Sequence, residues 1–325
     1  MIVEPLEGRV LFAVSPVTPG HVTDVQAETL ARVTAYENGL ITGASALAGS
    51  DYVVEHIFNN NRDGFQALGL TSPTEAPVLV LRGTNDAKDV VADANRIGVG
   101  YNQFVDNWSG RKGVEAWLNS ESQASSDDAG GSVDIVGHSL GGALAQWIAA
   151  AYTHLGHRIG RVVTFNSPGI SAAYARRFNP TLSLGVTDYI ADGDIVSMAG
   201  QAFIAGQYDL VDYNSENELA PSIESIFNWE LTKHTTPMLT PAGGKVPADE
   251  TIEASLPTSG NLNSKSFVYT DAEYSQMLQD LTTAVAKLPA PYRQEYRKLP
   301  TALRSRQQTE AIRPALFKLL FSNGI

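Results

Sequence analysis

The chain has no cysteine. That excludes disulfide cross-links, a thiolate nucleophile and any metal site built on thiolates, although it identifies no compartment. Long apolar runs are missing as well. Nothing approaches the roughly 20 residues that a membrane-spanning helix needs, so no transmembrane segment is expected. Basic charge is scarce: 23 Lys and Arg stand against 35 Asp and Glu, for a net charge of −12. That is the wrong sign for neutralising phosphates, and nucleic acid is not expected as a partner. The first residues, MIVEPLEGRVLFAVSP, carry Glu4 and Glu7 where an ordinary signal peptide is basic.

Across 325 residues, a hydrophobic fraction of 43% and a charged fraction of 18% suffice for a packed core. The little basic charge is concentrated at the end. From Lys287 onward there are eight Lys and Arg against two Glu, while the preceding residues carry 15 against 33 acids. The tail reads either as a cationic helical segment resting on an acidic body or as a basic, amphipathic membrane-surface helix.

Four stretches are expected: a tail or arm over residues 1–20, a main domain over 21–240, a loop or linker over 241–269 and a helical extension over 270–325. Pro5, Pro16, Pro19 and Gly20 mark the first. Residues 22–40 read as a helix, with Val25, Leu30 and Val33 at helical spacing and Thr23 or Asp24 as N-cap. The short apolar run 77–81 reads as a strand buried on both faces. Helices are expected over 86–97, 103–120 and 139–153, and strands over 132–136, 161–165 and 184–190. In the helix at 103–120, Phe104, Val114, Trp117 and Leu118 should face inward. This alternation argues a mostly parallel sheet covered on both faces, an α/β fold. Pro, Gly, Ser and Thr crowd residues 241–266 and suggest a long loop.

Gly137-His138-Ser139-Leu140-Gly141 fits G-x-S-x-G between a buried strand and a helix, which is the context that pattern requires. The tight turn exposes a serine at a helix N-terminus, where amides and the helix dipole favour developing negative charge. Ser139 is the candidate nucleophile. A serine nucleophile needs a histidine base and a carboxylate to orient it, in the chain order Ser, acid, His for an α/β-hydrolase. Of six histidines, His21 and His56 precede the serine and His138 adjoins it. His154 lies about 22 Å down the same helix at 1.5 Å per residue, and His157 lies beyond it. His234 remains. Between them Asp188, Asp192 and Asp194 are candidates for the acid, and Asp188 falls inside a strand. The oxyanion should be received by the Leu140 amide and by the loop after an earlier strand, Leu81-Arg82-Gly83-Thr84.

The run Gly137-His-Ser-Leu-Gly-Gly-Ala-Leu-Ala145 resembles the nucleophile turn of the class 3 lipases, the fungal-type triacylglycerol lipase family. The resemblance spans residues 77–240 and implies an α/β-hydrolase fold. It implies Asp194 as the acid, through Asp194-Ile195-Val196, with Asp192 as the alternative. It implies Thr84 as an oxyanion donor, in a segment where Leu81 replaces the usual Phe; Arg82 beside it reads either as fixing the loop through a carboxylate or as a plain surface arginine. Lys233-His234-Thr235-Thr236-Pro237 is similar to the His-bearing loop of bacterial members. The helix at 86–97 then becomes either a lid or a fixed surface helix.

The expected activity is lipase or esterase cleavage of acylglycerols. Phospholipase A1 action, polyester hydrolysis or acyl transfer on the same triad are variants, and an inactive lipid-binding module is the alternative of another class. Neither cofactor nor metal is required, and the partner is a lipid or ester, met in transient contact with its interface. Leu6-Glu7-Gly8-Arg9-Val10-Leu11 looks like a segment near the start of some bacterial secreted proteins, which favours export over a cytoplasmic location.

Overall fold

The computed structural model describes residues 20–83, 98–124, 132–191, 196–198, 200–213, 238–239 and 250–257. Among the described residues eight strands form one sheet in chain order, β1-β2-β3-β4-β5-β6-β7-β8. They are β1 (Val53–Asn60), β2 (Phe65–Thr71), β3 (Val78–Leu81), β4 (Asp134–His138), β5 (Ile159–Phe165), β6 (Ser183–Ala191), β7 (Gln207–Tyr213) and β8 (Glu250–Pro257). Strands β3 to β7 are parallel, with antiparallel pairs at each end. This is the sheet of an α/β-hydrolase fold. The central strands β3, β4 and β5 are buried at every residue, as parallel strands covered on both faces must be.

Right-handed crossovers between parallel strands added in one direction place the connecting helices on one face. That face carries α2 (Tyr101–Trp108), α3 (Val114–Ala124), α4 (Leu140–His154) and the short α5 (Ala172–Ala175). Phe104, Trp117, Leu118 and Trp147 pack there against Leu79, Leu81, Ile135 and Val162. Helix α4 is buried from Leu140 to Thr153, which its alanines permit by letting backbones approach. Among the described residues the other face carries α1 (Asp24–Arg32), whose Ala27, Leu30 and Ala31 join Val78, Val80, Val136, Val163 and Phe165.

Several expectations are corrected. The first helix ends at Arg32 rather than near residue 40, and Val25 and Val33 are exposed. Its inward face also holds Asp24 and Glu28, both buried, because each carboxylate has partners. Asp24 pairs with Arg161 and accepts from the Tyr189 hydroxyl at 2.8 Å, while Glu28 pairs with Arg32 at 3.1 Å. Apolar periodicity cannot register a buried, satisfied carboxylate. Thr23 is the N-cap, and with Gln26 it forms a capping box, a device that stabilises by about 1 kcal/mol.

The helix expected over 103–120 is two helices, divided where Gly110 takes φ +101° and Gly113 passes the Trp108 carbonyl. The four residues expected inward are all buried. Residues 250–257, inside the expected linker, are instead an edge strand antiparallel to β7. An edge strand pairs on one side only and tolerates the polar composition that suggested a loop. The expected arm before residue 20, the lid candidate at 86–97 and the extension at 270–325 lie outside the described residues.

Candidate active site

The parallel strands end at one edge of the sheet. Leu81 pairs with Gly137, His138 with Phe165 and Phe165 with Tyr189, so β3, β4, β5 and β6 finish side by side. In open α/β sheets this carboxyl edge is where ligands bind. Ser139 stands on it, between the last residue of β4 and the first of α4. Its backbone has φ 57° and ψ −128°, a conformation that a residue with a Cβ seldom adopts. Strand register and packing hold it there. Its N–H donates to the Phe165 carbonyl at 3.0 Å, and its carbonyl accepts from Gly142 at 2.9 Å and Ala143 at 3.3 Å.

Helix α4 therefore begins directly after Ser139, its N-cap. As its first residue, Leu140 has an N–H outside the intrahelical ladder, at the positive end of a 15-residue helix. The neighbouring backbones leave no space for side chains. A Cβ on Gly137 would overlap the Gly141 carbonyl, and one on Gly141 would overlap the Leu81 carbonyl. The G-x-S-x-G spacing is thus explained by contacts within the turn and between the turn and β3.

The segment that precedes Thr84 is packed onto this turn. A Cβ on Gly83 would lie 2.7 Å from the His138 carbonyl oxygen and 2.6 Å from the Tyr36 hydroxyl. Tyr36 is the organising side chain here. Its hydroxyl is 3.4 Å from Nδ1 of His138, and the Arg82 guanidinium lies 5.0 Å over its ring. Burial pushes the Tyr36 phenol above its ordinary range, against the opposing pull of Arg82, the Gly83 amide and Arg32. It stays a neutral phenol. Arg82 also donates to the Gln66 side chain, which fixes the residue ahead of Gly83 to β2.

On the other side, Asn166 follows β5 with φ 47° and is fully buried. Its N–H donates to the Tyr189 carbonyl and its Oδ1 accepts from Ala191, both at 2.8 Å. The chain leaving β6 towards Asp192 and Asp194 is thereby held at its last strand residue.

Ser139 and Leu140 lie together at this edge. Thr84, Asp192, Asp194 and His234 lie outside the described residues, but Gly83 and Ala191, which immediately precede Thr84 and Asp192, are at the edge. Asp188 is buried within β6. The other histidines are engaged elsewhere. His21 bonds Asp134 at 2.8 Å, at the opposite end of β4, and His56 packs on Phe58 in β1. His154 is exposed at the end of α4, and His157, also exposed, stacks on Tyr152. Tyr36 and Asn166 escaped the sequence reading. Asn166 left a signal, an Asn two residues before Pro168 at a strand end, since Asn is enriched at positive φ; Tyr36 left none. Among the described residues no group of three or more His, Asp or Glu is placed to hold a metal ion, and no helix is long and apolar enough to cross a membrane.

Comparisons with known proteins bear on the same region. No curated protein matches the chain. Among solved structures it is similar to the Rhizomucor miehei triacylglyceride lipase, at 20% identity over 57% of this chain and 78% of that one, with a TM-score of 0.47. A Rhizomucor miehei lipase–propeptide complex matches at 17% identity, 58% and 67% coverage and a TM-score of 0.45. A triacylglycerol lipase from Penicillium expansum matches at 18%, 58% and 79%, with a TM-score of 0.41. Residues 78–202, from β3 through the Ser139 turn to the bridge between Ile170 and Ala202, match the family model for class 3 lipases. Over that segment the chain is similar to the class 3 lipases, and this match supports a carboxylester hydrolase of the lipase type.

Proposed function

We propose that the chain hydrolyses lipid esters, acylglycerols foremost, through an acyl-enzyme on Ser139. The observation that carries this reading is the strained Ser139 backbone at the start of α4, on the carboxyl edge of the sheet. In the first half-reaction the Ser139 Oγ bonds to the ester carbonyl carbon while His234 takes its proton. Asp194, with Asp192 as the alternative, orients the His234 imidazole and stabilises its charged form. The carbonyl oxygen becomes an oxyanion, received by the Leu140 amide at the positive end of α4 and by Thr84. His234 then returns the proton to the leaving alkoxide oxygen as the C–O bond breaks. Water repeats the sequence on the acyl-enzyme, releasing the fatty acid and restoring Ser139.

The test is hydrolysis of p-nitrophenyl esters and of triolein by the wild type and Ser139→Ala. Loss of a triad nucleophile should lower kcat by at least about 10³-fold. A folded Ser139→Ala protein with undiminished turnover would overturn the reading. A panel running from short esters to triolein and phosphatidylcholine, below and above aggregation, distinguishes acylglycerol from phospholipid preference.

A further inference from the structure

Glu28 is a fully buried carboxylate on α1, and it meets a segment more than 200 residues away in sequence. One oxygen accepts from the N–H of Met238 and the other from the N–H of Leu239, at 2.7 Å for the second. Arg32, one turn along the helix, lies 3.1 Å from the same carboxylate. Met238 is itself fully buried against the α1 face of the sheet. A buried carboxylate that takes two adjacent backbone amides is an anchor for chain direction, because charge-assisted bonds to both donors fix the peptide's orientation and position.

Met238 stands four residues after His234, a connection that spans at most about 14 Å of extended chain. The anchoring helix is also tied to the nucleophile turn. It packs on β3, β4 and β5, and the Arg32 guanidinium lies 5.9 Å over the ring of Phe165. The Phe165 carbonyl in turn accepts the Ser139 N–H. A short chain of contacts therefore runs from the Ser139 backbone through Phe165, Arg32 and Glu28 to the segment that follows His234.

We propose that Glu28 is a positioning residue for the base: its carboxylate clamps the Met238 and Leu239 amides and so sets where the His234 loop meets Ser139. This rests on the reading of His234 as the base given above. Glu28 touches no reacting atom, and its removal should leave substrate binding intact while misplacing the proton acceptor.

The experiment compares wild type, Glu28→Gln, Glu28→Ala and His234→Ala as full-length proteins. It measures kcat and KM on a p-nitrophenyl ester, the rate of Ser139 labelling by a fluorophosphonate, and amide exchange at Met238 and Leu239. Glu28→Ala should lower kcat roughly 10- to 100-fold, the scale of a misplaced catalytic group, with KM within about twofold. Labelling should slow in parallel, and exchange should rise at both amides. Glu28→Gln, which keeps one acceptor oxygen and the side-chain volume, should fall between Ala and wild type; it also keeps the test open if Glu28→Ala does not fold. A folded Glu28 variant with wild-type kcat, or an equal loss in which KM alone moves, overturns the inference. If that happens while His234→Ala is inactive, the clamp fails and the base assignment stands. An active His234→Ala protein removes the base assignment and the clamp with it.

Discussion

Gly83 and His138 touch backbone to backbone at the head of the sheet: a Cβ on Gly83 would stand 2.7 Å from the His138 carbonyl oxygen. The end of β3 and the turn bearing Ser139 therefore form one packed unit. Thr84, the proposed oxyanion donor, follows Gly83 directly in the chain.

Gly83→Ala tests the contact. The added methyl would meet both the His138 carbonyl and the Tyr36 hydroxyl, so the turn or the loop must shift. The expected cost is about 1–3 kcal/mol of stability, as for other overpacked sites, read from urea unfolding. Ester hydrolysis should fall by more than that loss explains, through kcat. An alanine variant with wild-type kcat would show that the loop's spacing from the turn does not matter.

Asn166 is the second support. Its positive φ suits Asn or Gly, and its side chain holds the Ala191 amide ahead of Asp192 and Asp194. Asn166→Ala loses the hydrogen bond and strains the backbone, whereas Asn166→Gly loses only the bond. The alanine variant should be less stable than the glycine variant by about 1 kcal/mol, while both lose kcat to a similar degree. The comparison needs urea titrations and steady-state rates on one ester. Activity that tracks stability alone would contradict a role in placing the acid.

The pH dependence follows from buried phenols. Burial first, and then the Asp24 carboxylate that accepts its hydrogen bond, hold the Tyr189 phenol far above its ordinary range. Burial likewise raises Tyr52 and Tyr208. With folded pKa values above the unfolded value of about 10, their contribution is fully present below pH 10 and is lost as pH rises past it. Urea midpoints should therefore decline from about pH 10 upward. Tyr189→Phe should decline less steeply, starting about 1–3 kcal/mol lower at neutral pH for the lost bond to a carboxylate. An unchanged slope would contradict the assignment.

The centre of the sheet was readable from the residues. The runs 77–81, 132–136, 161–165 and 184–190 fall within two residues of β3, β4, β5 and β6, because strands covered on both faces are rich in apolar residues, wholly so in 77–81 and interrupted by residues such as Asp134, Arg161 and Asp188 in the others. The edges were not. In β8 the alternation Thr251-Ile252-Glu253-Ala254-Ser255-Leu256 has the period of a strand, but surrounding Pro, Gly and Ser outweighed it. The Ser139 turn was legible because glycines are forced on it by backbone contacts on both sides. Glu28 was invisible for the opposite reason. A carboxylate at a helical position reads as solvent-facing, and nothing local reveals that its partners are the Met238 and Leu239 amides.

The most direct test of the central claim is the site of covalent labelling by a fluorophosphonate. The probe phosphonylates a serine only where a base activates it and an oxyanion site receives the charge. Mass spectrometry of the labelled protein should find one adduct, on Ser139, with ester hydrolysis lost in proportion to labelling, and none on Ser139→Ala. Full inhibition with the adduct elsewhere, or hydrolysis that persists after Ser139 is completely labelled, would contradict the account.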